Sequence, residues 1–150
     1  MSGSSELYEL DIWLLDHHIT SIDNVAYLKS VVYQAEGDVV GAHDLYKFSK
    51  YFQNMSAKEA HKLILSTRDP ESEFYDFEND EVYPNQQVLN WGPNTDNIAC
   101  FLIPIDGSVY ITVEHYYPPT EIGTVFSKQI DVAYFDSVLK EFIECGASKI

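Results

Sequence analysis

A run of apolar residues, followed by a tight turn and an alternating segment, most restricts how this chain folds. Residues 98–103 are apolar at every position, a pattern typical of a central strand covered on both faces. Asp106-Gly107 follows as a signal for a two-residue hairpin turn. The alternating segment, residues 109–117, ends at Pro118-Pro119. The sequence therefore predicts an antiparallel hairpin in this part of the fold.

The alternating segment has two different faces, because successive side chains of a strand point to opposite sides of a sheet. One face carries Val109, Ile111 and Val113. The other face carries Tyr110, Thr112, Glu114 and Tyr116. Since the aliphatic face belongs in the core, we expect the second set to be at least partly exposed.

The first half of the chain combines one strand pattern with helical patterns. Residues 8–14 alternate as a half-buried strand does. Three groups predict helices between residues 24 and 66: Val25, Leu28 and Val32 behind a cap at Asp23 or Asn24; Leu45, Phe48 and Phe52; and the capping box Ser56-Ala-Lys-Glu59 with its stripe Ala60, Leu63 and Ile64.

The last third reads as further strands and a closing helix. Residues 87–91 and 124–130 are strand candidates, and Asp131 caps a helix with Gly146 as its stop. We predict an α+β fold in which the C-terminal meander plus the N-terminal strand form one antiparallel sheet. The helices from residues 24–66 and the C-terminal helix pack on one face of it. We expect a single globular domain over residues 1–150, with a flexible tail at 1–5.

Lysine and arginine are absent between Arg68 and Lys128, and this gap opens with what we call the acidic-aromatic segment, residues 69–83. Its carboxylates are Asp69, Glu71, Glu73, Asp76, Glu78, Asp80 and Glu81, and its aromatic residues are Phe74, Tyr75, Phe77 and Tyr83. A solvating acidic tract would lack the aromatic residues, and a structural loop would lack most of the carboxylates. The combination favours a surface that binds a positively charged protein, with aromatic anchors for affinity.

We predict that this segment, together with Tyr110, Glu114 and Tyr116 of the hairpin, forms the partner-binding surface. The net charge of −15 favours a basic protein as the partner. Nucleic acids and anionic membranes are bound through Lys and Arg patches, so neither is an expected partner. The N-terminus has neither the positive charge nor the apolar run of a signal peptide, which favours a soluble cytoplasmic protein.

No sequence pattern predicts a catalytic, metal or cofactor site. A calcium loop of the EF-hand type needs a central glycine, and no glycine occurs between Gly41 and Gly92. The adjacent His17 and His18 would point to opposite faces of a strand. Cys100 lies in the apolar run, away from the positive charge that a reactive thiolate needs. We therefore expect a binding protein rather than an enzyme, without metal or cofactor.

The chain is small and acidic, with a helical first half, Trp91-Gly92-Pro93 leading into an antiparallel hairpin, and an amphipathic last helix. In these features it resembles the immunity proteins of bacterial contact-dependent or polymorphic toxin systems. The resemblance implies tight, stoichiometric binding of a cognate toxin domain, often a basic nuclease, in the cytoplasm. Two alternatives stay open: a nucleic-acid mimic that inhibits a DNA- or RNA-binding enzyme, and a divalent-metal-dependent enzyme that uses the acidic segment.

Overall fold

The computed structural model describes residues 7–21, 23–40, 44–116 and 119–150, so the tail expected at 1–5 lies outside the described residues. In chain order the strands and helices are β1 (Leu7–Glu9), β2 (Trp13–Leu14), β3 (His17–His18), β4 (Val25–Tyr27), α1 (Leu28–Gly37), α2 (Ala57–Ser66), α3 (Val82–Gln86), β5 (Ile98–Ile105), β6 (Ser108–His115), β7 (Val125–Ile130) and α4 (Val132–Ala147). The strands pair antiparallel. The predicted α+β class is confirmed.

A three-stranded antiparallel sheet in the order β5-β6-β7 organises the fold. β5 and β6 form the predicted hairpin around Asp106 and Gly107, which have positive φ values of 49° and 89°. A tight two-residue hairpin turn requires such a backbone, because its twist then matches that of the strands. β5 is buried along its whole length, as its continuous apolar run predicts.

Helices cover both faces of this sheet. On one face, apolar side chains of α1 and α4 pack with Leu102 and Ile111. On the other face, Ala60 and Ile64 of α2 pack with Phe101 and other residues of β5. The prediction that the helices pack on one face and leave the other partly open is therefore wrong. An amphipathic helix such as α2 must itself bury its apolar stripe, and the second sheet face is the surface that it uses.

The register of β6 is as predicted, although its polar face is covered. Val109 and Val113 lie in the apolar cluster below α1 and α4. On the opposite face, Thr112 is 0% exposed and Glu114 is 4% exposed. The period-two alternation thus assigned each side chain to its side of the sheet, but it did not determine which side meets water.

The N-terminal strand does not join the three-stranded sheet, contrary to the prediction. β1 pairs with β4, and β2 pairs with β3, each as a separate two-stranded sheet. Between β2 and β3, Leu15 and Asp16 both have positive φ, 50° and 66°. This tight turn folds the chain back on itself, so the alternating pattern of residues 8–14 is divided between two short strands.

Several predicted helix and strand boundaries are also wrong. Residues 25–27 form β4 rather than the first turn of α1, since their pairing with β1 satisfies the backbone there. The group around Phe48 and Phe52 forms turns and a 3-10 helix, Ser49–Tyr51, although both phenylalanines are buried. Residues 87–91 make only an isolated bridge, from Gln87 to Phe101.

The ends of α2 and α4 follow local sequence signals with one exception. Ser56 and Glu59 form the predicted capping box of α2. The carboxylate of Asp131 accepts a hydrogen bond from the N–H of Ala133 at 2.9 Å and so caps α4. Gly146 does not stop α4, which continues to Ala147. It lies against Val32 of α1, where its missing side chain allows the two helices to approach closely.

Candidate functional site

The acidic-aromatic segment runs over the surface from the end of α2 into α3, on the α2 side of the sheet. It consists of turns, a 3-10 helix at Phe77–Asp80 and the start of α3. The N–H of Asp76 donates a hydrogen bond of 3.0 Å to the carbonyl of Thr67, which returns the loop to the end of α2. The segment therefore forms the surface loop that the sequence predicted.

Most carboxylates of the segment face water. Six side chains are exposed and Asp80 is half-buried; the exposed ones are Asp69, Glu71, Glu73, Asp76, Glu78 and Glu81. The side chains of Glu71, Glu73 and Asp76 make no hydrogen bond or ion pair with any residue that the structure describes. The first half of the segment therefore presents negative charge without an internal counter-ion.

The second half of the segment is tied to the body of the protein. Glu81 accepts a hydrogen bond of 2.8 Å from Lys47, and Asp80 pairs with Nε of Arg68 at 3.2 Å. The hydroxyl of Tyr51 donates to Glu78. The hydrogen bond to Glu81 and its negative charge raise the pKa of Lys47, so this lysine stays charged. These contacts hold the second half of the loop in place, whereas the carboxylates of Glu71, Glu73 and Asp76 in the first half have no partner among the described residues.

The aromatic residues of the segment divide between anchoring the loop and facing water. Phe77 packs edge-on against Tyr51 at 4.7 Å and belongs to the apolar cluster under α2. Phe74 is half-buried and meets Phe77 at 5.9 Å. Tyr83 is half-buried beneath the guanidinium of Arg68, 3.9 Å from its ring centroid. Of the predicted aromatic anchors in the segment, only Tyr75 is exposed, at 53%.

The backbone of the segment is strained. Asp76, Glu78, Asn79 and Asp80 all have positive φ, between 53° and 59°. Such a left-handed backbone costs roughly 1–2 kcal/mol per residue, with Asn and Asp accepting it most readily. Conformations of this kind persist only where the surrounding structure holds them, and they cluster at functional sites. Here the ion pairs of Glu81 with Lys47 and of Asp80 with Arg68 hold the backbone in this conformation.

The three hairpin residues predicted for this surface do not join it as a set. Tyr116 is 36% exposed, Tyr110 is half-buried, and Glu114 is almost fully buried. The prediction that Thr112 and Glu114 are at least partly exposed is wrong, because α2 covers that face of β6. The candidate surface therefore consists of the acidic-aromatic segment, with the exposed Tyr116 just beyond the end of β6.

Glu114 instead forms a buried polar cluster with His61 and Thr112, which the sequence interpretation missed. Nδ1 of His61 lies 2.7 Å from Oγ1 of Thr112, and Nε2 lies 3.2 Å from Oε1 of Glu114. Oε2 of Glu114 accepts a hydrogen bond of 2.8 Å from the N–H of Gly123. A signal was present, since His61 shares the stripe of positions 57, 60 and 64 on the buried face of α2.

This cluster ties α2 to β6. A neutral His61 can donate from Nε2 to the Glu114 carboxylate and accept at Nδ1 from the Thr112 hydroxyl. Burial lowers the pKa of His61, and the hydrogen bond to Glu114 opposes that effect. The order of groups resembles a hydroxyl-histidine-carboxylate catalytic set. Thr112 and His61 are 0% exposed, however, so no substrate reaches the hydroxyl in this conformation.

Within the described ranges, no group of three or more His, Cys, Asp and Glu side chains is placed to hold a metal ion. Cys100 and Cys145 are both free, the first buried and the second exposed. Burial raises the pKa of the Cys100 thiol, which keeps it protonated. His17 packs against His115 and Phe126, with ring centroids 4.9 and 4.4 Å apart.

Comparisons with protein families, with curated proteins and with solved structures found no match for this chain. Among the helices that the structure describes, none is long and apolar enough to cross a membrane.

Proposed function

We propose that this chain is an immunity protein that binds and neutralises a cognate, basic toxin domain of the nuclease type in the cytoplasm of the producing cell. Binding is stoichiometric and uses the acidic-aromatic segment. The observation that carries the proposal is the unpaired negative charge in the first half of that segment. Glu71, Glu73 and Asp76 stand exposed without an internal counter-ion around the exposed Tyr75.

The distribution of charge supports this choice of partner. No lysine or arginine occurs from residue 69 to residue 127, and the whole chain carries −15. Carboxylates on a fixed loop pair with guanidinium groups of a basic surface in a bidentate manner. A field of this sign accelerates the approach of a basic protein by about 10 to 1,000-fold at low salt.

The second half of the segment, which is held against the body of the protein, adds specificity to this attraction. Ion pairs to Lys47 and Arg68 and the packing of Phe77 hold the loop before any partner arrives. A preorganised surface loses less conformational entropy on binding than a flexible acidic tail. Tyr75 supplies the outward aromatic side chain of the kind that dominates binding energy at protein interfaces.

The test compares two triple variants that remove the same charge. The first is Glu71→Gln, Glu73→Gln, Asp76→Asn in the first half of the segment. The matched control is Glu36→Gln, Glu141→Gln, Glu144→Gln, three exposed acids of α1 and α4. The partner is isolated from the producing cell on immobilised wild-type protein, and its association rate with each variant is measured at low and high salt.

We expect the segment variant to associate at least tenfold more slowly at low salt than wild type, and with a weaker salt dependence, because opposite charges steer the encounter. The control should stay within a few-fold of wild type. The purified partner should be basic and toxic when expressed alone, and co-expression of this chain should restore growth. Equal association rates for both triple variants would contradict the proposed surface, and a harmless partner would contradict the proposed function.

A further inference from the structure

The two edges of the three-stranded sheet differ in whether other residues cover their backbone groups. The outer edge of β5 is covered: the N–H of Val88 donates to the carbonyl of Cys100 at 3.0 Å, and Nε2 of Gln86 donates to the carbonyl of Leu102 at 2.7 Å. Further along the same edge stands Pro104, which has no N–H to offer. These two hydrogen bonds and the proline prevent another strand from pairing with β5.

The outer edge of β7 has no such cover among the described residues. The N–H of Tyr116 donates a hydrogen bond to the carbonyl of Asn97. Because backbone groups alternate in direction along an antiparallel strand, the even-numbered residues of β6 bond to β5 and its odd-numbered residues bond to β7. The register of β6 and β7 then leaves three residues of β7 with both N–H and C=O pointing outward. They are Val125, Ser127 and Gln129, and no hydrogen bond from the described residues reaches these backbone groups.

A groove with an apolar floor runs beside this open edge. One cavity, of about 570 Å³, lies between residues 10–15, the end of β7 and α4, with Leu14, Trp91, Ile111 and Phe135 among its lining residues. A second cavity, of about 700 Å³, continues it along β7. Trp13, Leu15 and Lys128 line both cavities, so the two lie next to each other along the strand, and we refer to them together as the groove.

We propose that β7 accepts an extended segment of a basic partner protein as a fourth strand of the sheet. Main-chain bonds to residues 125, 127 and 129 would fix the segment, as in recognition by strand addition. Lys128 pairs with Ile111 and shares its side of the sheet, which is the side of the groove. Every second side chain of the added strand therefore enters the groove, where the apolar floor and the aspartates of the lining favour apolar and basic side chains.

Charge selects a basic partner over a second copy of this chain. Among the described lining residues, Asp11, Asp16 and Asp131 stand against one lysine, Lys128, and Asp11 lies 2.8 Å from Nε2 of His18. Two copies at −15 each would repel one another, and a lysine on an edge strand discourages pairing with a like edge. The groove lies on the α4 face, opposite the acidic-aromatic segment. The inference therefore goes beyond the proposed function and does not depend on it.

The test uses Ser127→Pro against Ser127→Ala. Proline at position 127 removes only an outward N–H, so the bonds between β6 and β7 stay intact. A phage-displayed library of random peptides of about ten residues, a typical upper length for a strand, is selected in parallel on wild type and both variants. We expect peptides in which every second residue is apolar or basic. They should bind wild type and Ser127→Ala alike and bind Ser127→Pro at least tenfold more weakly.

A second measurement leaves the protein unchanged. N-methylation of the selected peptide at the amides that face β7 should abolish binding, while N-methylation at the alternate amides should preserve it. Peptide binding should also slow hydrogen exchange at residues 125, 127 and 129. Selected peptides that bind Ser127→Pro and their N-methylated forms with wild-type affinity would overturn strand addition, as would a library without a single binder. Self-association of the free chain that Ser127→Pro abolishes would assign the edge to a second copy instead.

Discussion

At the scale of single residues, His61 shows how a buried polar group links sequence, packing and pH. It is enclosed by α2, β5 and β6, where Phe101 packs edge-on against its ring at 5.0 Å. Thr112 and Glu114 satisfy its two nitrogen atoms. A buried imidazole with both nitrogens bonded specifies one position of the helix on the sheet, because any shift leaves a polar group unpaired.

The lowered pKa of His61 predicts that the protein loses stability on mild acidification. In the unfolded chain the imidazole takes a proton near pH 6.5, whereas burial opposes protonation in the folded protein. The unfolded state thus binds more protons as the pH falls from about 6.5 toward the folded pKa, and unfolding becomes more favourable over that window. Burial lowers the pKa of His115 as well, which acts in the same direction.

The measurement is the free energy of unfolding in urea between pH 7.5 and pH 5.5, for wild type and for His61→Gln. Glutamine can donate to Glu114 and accept from Thr112 without titrating. We expect the variant to lose less stability than wild type over this range, with a remaining slope from His115. An identical pH dependence in both proteins would show that His61 does not titrate as its burial implies.

At the scale of secondary-structure elements, the contact between α1 and α4 depends on one glycine. A Cβ atom built at Gly146 would lie 2.5 Å from Cγ2 of Val32, closer than atoms pack. Val32 cannot move aside easily, since a β-branched side chain in a helix has one preferred rotamer. Gly37, the last residue of α1, has nothing within 4 Å of its Cβ position.

We therefore expect the same substitution to act in opposite directions at these two glycines. Gly146→Ala should lower the free energy of unfolding by about 1–3 kcal/mol through overpacking, partly offset by better helix propensity. Gly37→Ala should raise it by about 0.4–1 kcal/mol, because it restricts the unfolded chain. Urea denaturation of both variants checks the pair. A stabilising Gly146→Ala would mean that the helices separate at little cost.

At the scale of the whole molecule, unbalanced charge opposes folding. The exposed acids of the acidic-aromatic segment repel one another in the compact state, and only Lys47 and Arg68 form ion pairs with its described residues. Such repulsion destabilises a folded protein and is screened by salt. Under the proposed function, a basic partner would relieve this repulsion on binding.

This repulsion predicts that the variant Glu71→Gln, Glu73→Gln, Asp76→Asn melts at a higher temperature than wild type in low salt. Like-charged neighbours cost a few tenths of a kcal/mol per pair, so the gain should be small but measurable. At 1 M salt, where the screening length is about 3 Å, the difference should vanish. The control triple variant on α1 and α4 should gain less. A lower melting temperature would show that these side chains stabilise the loop instead.

The candidate site was predictable in position but not in detail. The absence of bases and the density of acids located the surface at residues 69–83, and most of these carboxylates do face water. Which rings face outward depended on neighbours distant in sequence: Tyr51 draws Phe77 inward and Arg68 covers Tyr83. The burial of Glu114 against His61 also depends on residues distant in sequence, since α2 and β6 come together only in the folded protein.

The sequence by itself determined what short-range physics controls. The turn at Asp106-Gly107, the alternation of β6, the capping box of α2 and the Asp131 cap of α4 all depend on neighbouring residues, and all are present. The tertiary structure alone decided that helices cover both sheet faces, that the N-terminal strand pairs with β4, and that the edge of β7 is left open by the described residues. A periodic pattern in the sequence predicts that one face of an element is apolar. Which other element covers that face depends on contacts between residues far apart in the chain.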